Sequence, residues 1–286
     1  MRKKPYRITV IGQETLLGSD VLKVCSETEN FEVQGFNSDD YDLDSWKDFQ
    51  FRLPSNSTVI NCLDYGDIEW AEEHSKPYFK RAVDTVRFIA NACTFRDSRL
   101  FHFSSHHVFD GMKGKQYTER DVCHPISVYG QGCMAGEKTV RAEGGNTLII
   151  RVQSLFGLNG PNYAKSVVDQ LEGGATTIQA IGDLVTAPTY TKHVARAVSV
   201  LIKTDRAGLL NVASGGECSE YAFARAIVER VNPAAKVEMV SMDDLGYKAS
   251  RPKYGVLSNY WFESWTGQAM PGWEDALDEF LTELGY

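Results

Sequence analysis

The sequence predicts a doubly wound α/β fold: a parallel sheet covered by helices on both faces, followed by a smaller lobe. Three observations carry this expectation. Short β-rich runs alternate with segments of helical length, the arrangement of βαβ units. Several of those runs are apolar throughout, as in Val59-Ile60 and Leu148-Ile149-Ile150, which suits strands buried on both sides. The first run, Arg7-Ile8-Thr9-Val10-Ile11, ends in Gly12 and leads into a helical pattern, a strand–glycine turn–helix unit.

After the first strand, a helix is expected over residues 19–26, where Val21, Leu22 and Val24-Cys25 recur at helical spacing. Residues 31–36, 57–63 and 100–105 read as the second, third and fourth strands. A long helical segment from about Pro77 to Cys93 lies between the last two, with Ala82, Val86, Ile89 and Ala90 on one face. A further helix begins near Tyr129, and residues 147–152 form a fifth strand. Beyond about residue 155 the pattern loosens. Residues 157–161 and 172–174 are loop-like, Pro188 and Pro233 interrupt, and helices are expected at 192–202, 219–231 and 273–284. Cys218-Ser219-Glu220 supplies an N-cap for the second of these. No internal repeat or low-complexity segment is present.

The bulk numbers bound the function. The 286 residues, 43% hydrophobic and 24% charged, suffice for one large domain or a domain with a lobe. A net charge of −8 and a pI near 5.3 argue against nucleic acid as the main partner, because neutralising phosphates takes a basic face. Cys25, Cys62, Cys93, Cys123, Cys133 and Cys218 form no CxxC pair and sit mostly among apolar residues, as free thiols in a reducing compartment do. No apolar run reaches the roughly 18 residues that span a bilayer. A soluble cytoplasmic protein, without a membrane partner, is expected.

Gly12-Gln13-Glu14-Thr15-Leu16-Leu17-Gly18 stands where a Rossmann-type fold receives a dinucleotide pyrophosphate. Gly12 permits the tight turn and Gly18 lets the helix pack on the strand. The middle position is Thr15, whose hydroxyl could donate to phosphate. Glu14 disfavours an anion unless it points away. Asn37 stands where an acid would hold the adenosine ribose. Asp39 and Asp40 follow, and no basic residue occurs before Lys47, which leans toward NAD(H) over NADP(H). Residues 1–155 are thus expected to form the Rossmann dinucleotide-binding region. Residues 156–286 are expected to be mainly a substrate-binding lobe, with late segments returning to the sheet.

The fourth strand ends in the loop Ser104-Ser105-His106-His107-Val108-Phe109-Asp110-Gly111, and Tyr129 opens a helix 24 residues after Ser105. With these residues the chain resembles the extended short-chain dehydrogenase/reductase superfamily, most closely its dTDP-4-dehydrorhamnose reductase branch. The motifs behind the resemblance stand in order as GQETLLG, SSHHVFDG, YGQGCMAGE, Arg151 to Gly157, DLVTAPT and Arg251-Pro252. The regulatory β subunit of methionine adenosyltransferase belongs to the same branch. The resemblance implies a catalytic Ser/Thr, tyrosine and lysine at Ser105, Tyr129 and Cys133, with His107 beside them. It implies cofactor contacts from Gly12, Thr15, Leu16, Leu17, Gly18, Asn37, Asp42, Leu43, Leu63 and Tyr65. Substrate contacts would come from His106, Arg151, Asn162, Tyr163, Asp183, Thr189, Arg251 and Tyr254. Arg251 suits a diphosphate, whose oxygens a planar guanidinium binds two at a time.

Cys133 is the departure that matters. The family lysine bonds the nicotinamide ribose and lowers the tyrosine pKa from about 10; a neutral thiol does neither well. Lys138 lies about 180° around the helix from Tyr129 and faces away. His106 and His107 replace an acidic and an aromatic residue of the family loop, and one of them could donate a proton near neutral pH. The only adjacent histidines lack enough partnering acids for a metal site. Three readings stay open: a dinucleotide- or nucleotide-sugar-binding protein with weakened or lost catalysis, an active NAD(P)H-dependent reductase of a dTDP-4-keto-6-deoxysugar in rhamnose or surface-polysaccharide synthesis, and a regulatory subunit of another enzyme. A nucleotide-sugar is the expected small-molecule partner, with a homodimer or a partner enzyme as the protein alternatives.

Overall fold

The structure, a computed structural model, describes residues 4–38 and 50–286. Five strands near the front of the chain are β1 (Tyr6–Ile11), β2 (Phe31–Phe36), β3 (Thr58–Asn61), β4 (Arg99–Ser105) and β5 (Thr147–Val152). With a late strand, Gly208–Asn211, they make a six-stranded sheet in the order Gly208–Asn211, β5, β4, β3, β1, β2, every pair parallel. Strand order reverses between β1 and β3, and a crevice opens at such a switch point beyond the carboxyl ends.

Alternate side chains of each strand serve opposite faces. Ile8, Val10, Ile60, Phe101, Leu148 and Ile150 pack on one face against Val21 of helix α1 (Leu16–Glu27) and against Val194, Val198 and Leu201 of the Thr191–Ile202 helix. Ile11, Val59, Leu100 and Ile149 pack on the other, against Val86, Ile89 and Cys93 of the Val86–Phe95 helix and Val140 of the Val128–Glu143 helix. That two-sided burial is why these strands read as unbroken apolar runs. The helical segment expected at 77–93 is broken into an α-turn over Ser75–Phe79, a π-helical turn over Lys80–Thr85 and the Val86–Phe95 helix.

The second lobe has its own core, in which Phe156 meets Tyr190, Phe223 and Phe280 ring to ring. The Glu220–Val231 and Trp273–Leu284 helices cover it, the former capped by Ser219, which accepts from the Ala222 amide at 3.1 Å. A helix over Tyr163–Glu172 and a parallel pair of strands, Thr177–Ile181 with Lys236–Val240, went unread in the sequence. The strand pair is half exposed and carries polar residues, so it lacks the apolar signature that marks the main sheet.

The Val128–Glu143 helix is joined to the carboxyl ends of β4 and β5 by one buried carboxylate. Glu137 accepts from Arg151 Nε at 2.7 Å and Nη2 at 2.8 Å, from the Ser104 hydroxyl at 2.7 Å and from Arg141 at 3.1 Å. Burial alone would raise the pKa of Glu137, but the Arg151 contacts overcome it and hold the carboxyl below its ordinary range. Removing one partner of such a pair strands the other charge away from water. Glu137→Gln is therefore expected to cost about 3 kcal/mol, read as a fall of roughly 6–12 °C in Tm for a chain of this size; an unchanged Tm would contradict the role given to the pair.

Candidate functional site

A cavity of about 490 Å³ follows the switch point, from the glycine turn at one end to Tyr129 and Arg251 at the other. The turn needs its glycines. Gly12 has φ +76°, and a Cβ on Gly18 would fall 1.9 Å from the Gly12 carbonyl oxygen. Thr15 caps α1: its hydroxyl oxygen accepts from the Gly18 amide at 3.0 Å, and its proton is directed to the carbonyls of Gly12 and Cys62, each 2.9 Å away. This corrects the expectation that Thr15 offers its hydroxyl to phosphate, since the group faces inward. Leu16 and Leu17 line the cavity at the start of α1, where first-turn amides have no intrahelical acceptor and the helix end is positive.

Glu14 turns away from this end. Its carboxylate accepts from the Ser38 amide at 2.9 Å and from the Ser38 hydroxyl. Burial would raise its pKa, but these bonds hold it below the ordinary carboxylate range. Asn37, beyond the cavity lining, accepts from Gln13 at 3.1 Å at the end of β2. Asp42 and Leu43, with Asp39, Asp40 and Lys47, lie outside the described residues. Leu63 and Tyr65 line the middle of the cavity with Asp64, and Asn61 bonds the Tyr65 hydroxyl at 2.7 Å and His102 Nδ1 at 3.1 Å.

At the far end, Ser105 terminates β4, and His106 and His107 follow in a 3₁₀ turn. Tyr129 is the second residue of its helix, which Ser127 caps through the Gly130 amide at 3.1 Å. A Cβ on Gly130 would lie 2.1 Å from the His107 carbonyl oxygen, so glycine lets the helix start press against the histidine turn. The Tyr129 ring stands edge-on to His107 at 5.4 Å and stacks on Tyr78 at 5.8 Å. Cys133, burial and the Asp64 carboxylate push the Tyr129 phenol well above its ordinary pKa, against a hydrogen bond from Ser105 that lowers it. Burial pushes the Cys133 thiol up to about 12. Both groups hold their protons at neutral pH. Lys138 is exposed on the helix's outer side.

Both histidines are neutral as well. Burial brings His106 down to about 4. Burial, His106 and Arg251 together hold His107 well below the usual imidazole range, and its Nδ1 is buried without a hydrogen-bond partner. This corrects the idea of a histidine donating a proton near neutrality: an imidazole with so low a pKa is not charged there. Among the described residues that line the cavity, Arg251 is the single Lys or Arg. Its guanidinium pairs with Glu69 at 2.8 Å, bonds the Ala249 carbonyl at 2.9 Å and lies 3.8 Å from the centre of the Tyr247 ring.

Of the expected residues, Thr15, Leu16, Leu17, Leu63, Tyr65, Ser105, His106, His107, Tyr129, Cys133 and Arg251 meet at this one cavity, with Gly12 and Gly18 shaping the turn beneath. Six expected substrate residues do not. Arg151 is 2% exposed and spent on Glu137 and on the Cys123 sulfur. Asn162 caps the Tyr163–Glu172 helix through the Lys165 amide and donates to the carbonyls of Gly157 and Gly160. Tyr163 packs on Phe223 in the lobe's core. Asp183 ties the Met242 amide, at 2.9 Å, to Lys253, at 2.7 Å. Thr189 is fully buried, bridging Ala187 and Ser214. Tyr254 bonds Glu217 at 2.5 Å. Each is a turn, cap or core residue held by contacts within the fold, although Arg151 Nη1 and the Tyr163 hydroxyl are buried without a hydrogen-bond partner. The lining residues that the sequence did not reveal include Asp64, Tyr78 and Gln153; a position one or two past a strand end would have marked Gln153, and nothing periodic marks Tyr78.

No helix among the described residues is long and apolar enough to cross a membrane, and no three His, Cys, Asp or Glu side chains among them are grouped to hold a metal ion. The neutral histidines have a consequence for stability. His102 and His106 have folded pKa values lowered by burial to about 4, below the unfolded value of about 6.5, so the unfolded chain takes up protons first. Their contribution is complete above about pH 6.5 and declines as pH falls toward 4. The urea midpoint is expected to drop across that window; a midpoint that stays level would contradict buried neutral imidazoles.

The profile of the RmlD substrate binding domain family matches residues 6–286. The chain is 30% identical over 226 residues to the spore coat polysaccharide biosynthesis protein SpsK of Bacillus subtilis, covering 79% of this chain and 78% of that protein. It is 25% identical over 289 residues to the dTDP-4-dehydrorhamnose reductase of Aggregatibacter actinomycetemcomitans, covering 95% and 97%. Among solved structures it is similar to the dTDP-4-dehydrorhamnose reductase of Bacillus anthracis in complex with NADP, at a TM-score of 0.91 and 26% identity over 98% of this chain and 99% of that one. The UDP-glucuronic acid 4-epimerase of Bacillus cereus, at 16% identity and a TM-score of 0.81, shares the fold over 97% and 99%.

Proposed function

The chain belongs to the RmlD substrate binding domain family, and on that premise we propose that it binds a nicotinamide dinucleotide and a nucleotide-sugar in the one cavity, with its reductase chemistry weakened by the lack of a cation beside Tyr129. One observation carries this: the cavity runs unbroken from the glycine turn to Tyr129, and its sole lining Lys or Arg among the described residues, Arg251, is paired with Glu69. The glycine turn fits a diphosphate, because Gly12 and Gly18 allow its tight path against Cys62 and the start of α1 faces the cavity. Leu16, Leu17, Leu63 and Tyr65 are the residues that would hold the dinucleotide, which supplies a hydride when bound.

The chain's own residues account for the proton. Tyr129 keeps its phenolic hydrogen and can give it to a carbonyl oxygen, and Ser105 beside it can polarise that carbonyl. Reduction needs the tyrosine protonated, which it is, whereas the raised pKa makes it a slower donor and opposes more strongly the reverse, oxidative direction, which needs a phenolate. This observation supports a second reading, a slow but working reductase of a dTDP-4-keto-6-deoxysugar. What both readings lack is the positive charge that would stabilise the phenolate left behind after proton transfer.

Three measurements follow. A thermal-shift titration should stabilise the protein by about 2.7 kcal/mol at a hundred times the dissociation constant of NADH or a dTDP-sugar; no shift with NADH, NADPH or dTDP-sugars would end the binding reading. Any NADH oxidation with a dTDP-4-keto sugar should fall at least about 100-fold in Tyr129→Phe, and equal rates would place the proton donor elsewhere. The Glu14 carboxylate at the end of β2 should repel a ribose 2′-phosphate, so NADH should bind more tightly than NADPH and Glu14→Gln should narrow the gap. A gap that the substitution leaves unchanged would clear Glu14 of that role.

A further inference from the structure

Cys133 has a neighbour that the sequence did not reveal. Tyr78, 1% exposed, comes from the Ser75–Phe79 turn just before the π-helical turn and lines the same cavity. Its hydroxyl donates to the backbone carbonyl of Tyr129 at 2.9 Å and lies 3.9 Å from the Cys133 sulfur. The thiol lies between two phenols, those of Tyr78 and Tyr129; burial raises its pKa, and both neighbours oppose that rise. Gly132 makes room for this arrangement, since a Cβ there would sit 2.3 Å from Tyr78 Cε1. On the side away from the open cavity, the ground beyond the γ-atom of residue 133 is held by the Tyr78 phenol. A lysine, with three more heavy atoms past that point, would have to pass the Tyr78 hydroxyl on its way along the helix face.

We propose that Tyr78 is the positioning residue of this site: it fills the space a lysine at position 133 would need, fixes Tyr129 through its carbonyl, and turns its phenol oxygen toward a ribose hydroxyl of the bound dinucleotide. The ribose contact rests on the dinucleotide reading above; the packing does not. A phenol oxygen that has donated its own proton still has lone pairs to accept from a hydroxyl. Tyr78 thus restores a polar contact while leaving the charge missing. It also makes the Cys133 site a matched pair, in which the small thiol and the large ring depend on one another, rather than a single lost residue in an otherwise unchanged frame.

The test uses the full chain and three variants, with Tm without ligand and NADH affinity by fluorescence as readouts. Tyr78→Phe keeps the ring and loses the oxygen, so Tm should fall only by the few degrees that its bond to the Tyr129 carbonyl is worth, while NADH binds about fivefold more weakly, the worth of one hydrogen bond. Cys133→Lys alone should lower Tm by several degrees, because the longer side chain displaces the Tyr78 phenol from its bond to the Tyr129 carbonyl. Tyr78→Ala with Cys133→Lys should recover part of that loss, a non-additive pair that independent sites would not give. NADH affinity unchanged in Tyr78→Phe would overturn the ribose contact, and a wild-type Tm in Cys133→Lys would overturn the packing. If the parent chain binds neither NADH nor NADPH, the dinucleotide reading falls and the ribose contact with it, whereas the Tm cycle still decides who fills the space beside Tyr129.

Discussion

The Glu137 carboxylate holds the candidate site together. It stands at the centre of the Val128–Glu143 helix, 1% exposed, with two bonds from Arg151 at the end of β5 and one from Ser104 at the end of β4. Tyr129 lies two turns earlier on that helix, and Ser105 is the residue after Ser104. The spacing between phenol and serine is therefore set by a charge pair that cannot reach water, and shifting the helix by one residue would strand two ions in the interior. A surface pair would not hold this geometry, because its partners can exchange for solvent.

Around that clamp the chemistry is uncharged. Tyr129, Tyr78, Cys133, His106 and His107 meet at the far end of the cavity, and each is driven toward its neutral form, the Tyr129 phenol by Cys133 and burial, the Tyr78 phenol and the thiol upward and the imidazoles downward mainly by burial. A cation among them would have reversed the trend for the phenol. Arg251 could supply one from the same end of the cavity, yet Glu69 takes up its charge, and the same carboxylate accepts the Lys248 amide at 2.9 Å. The site can hold and place a proton. It has little with which to stabilise the negative charge left when the proton departs.

The two ends of the cavity differed in how plainly they stood in the sequence. The glycine turn was legible because backbone sterics at Gly12 and Gly18 allow few other residues, and its role follows from local geometry. Ser105, Tyr129 and Cys133 were legible as positions, since a strand end and a helix start bring them to the switch point. The lobe was misread wherever a polar residue had a structural task. Asn162 reads alike as a ligand or as a helix cap, and Arg151 alike as a substrate contact or as half of a buried ion pair. Which of the two holds depends on what lies across the chain, in residues as distant as Glu137 is from Arg151.

By itself the sequence determined the alternation of apolar strands with amphipathic helices, and hence a parallel sheet with its crevice at the reversal of strand order. It also determined that no lysine stands four residues after Tyr129. Only the tertiary structure decided what replaced it. Tyr78 is 55 residues from Cys133 and has no periodic or motif signal, so its place against Gly132 and Tyr129 follows from the packing of two helices and a π-helical turn. Local rules act over one turn of helix or one strand repeat, whereas the protonation and contents of a buried site are set by whichever groups the fold brings within a few ångströms.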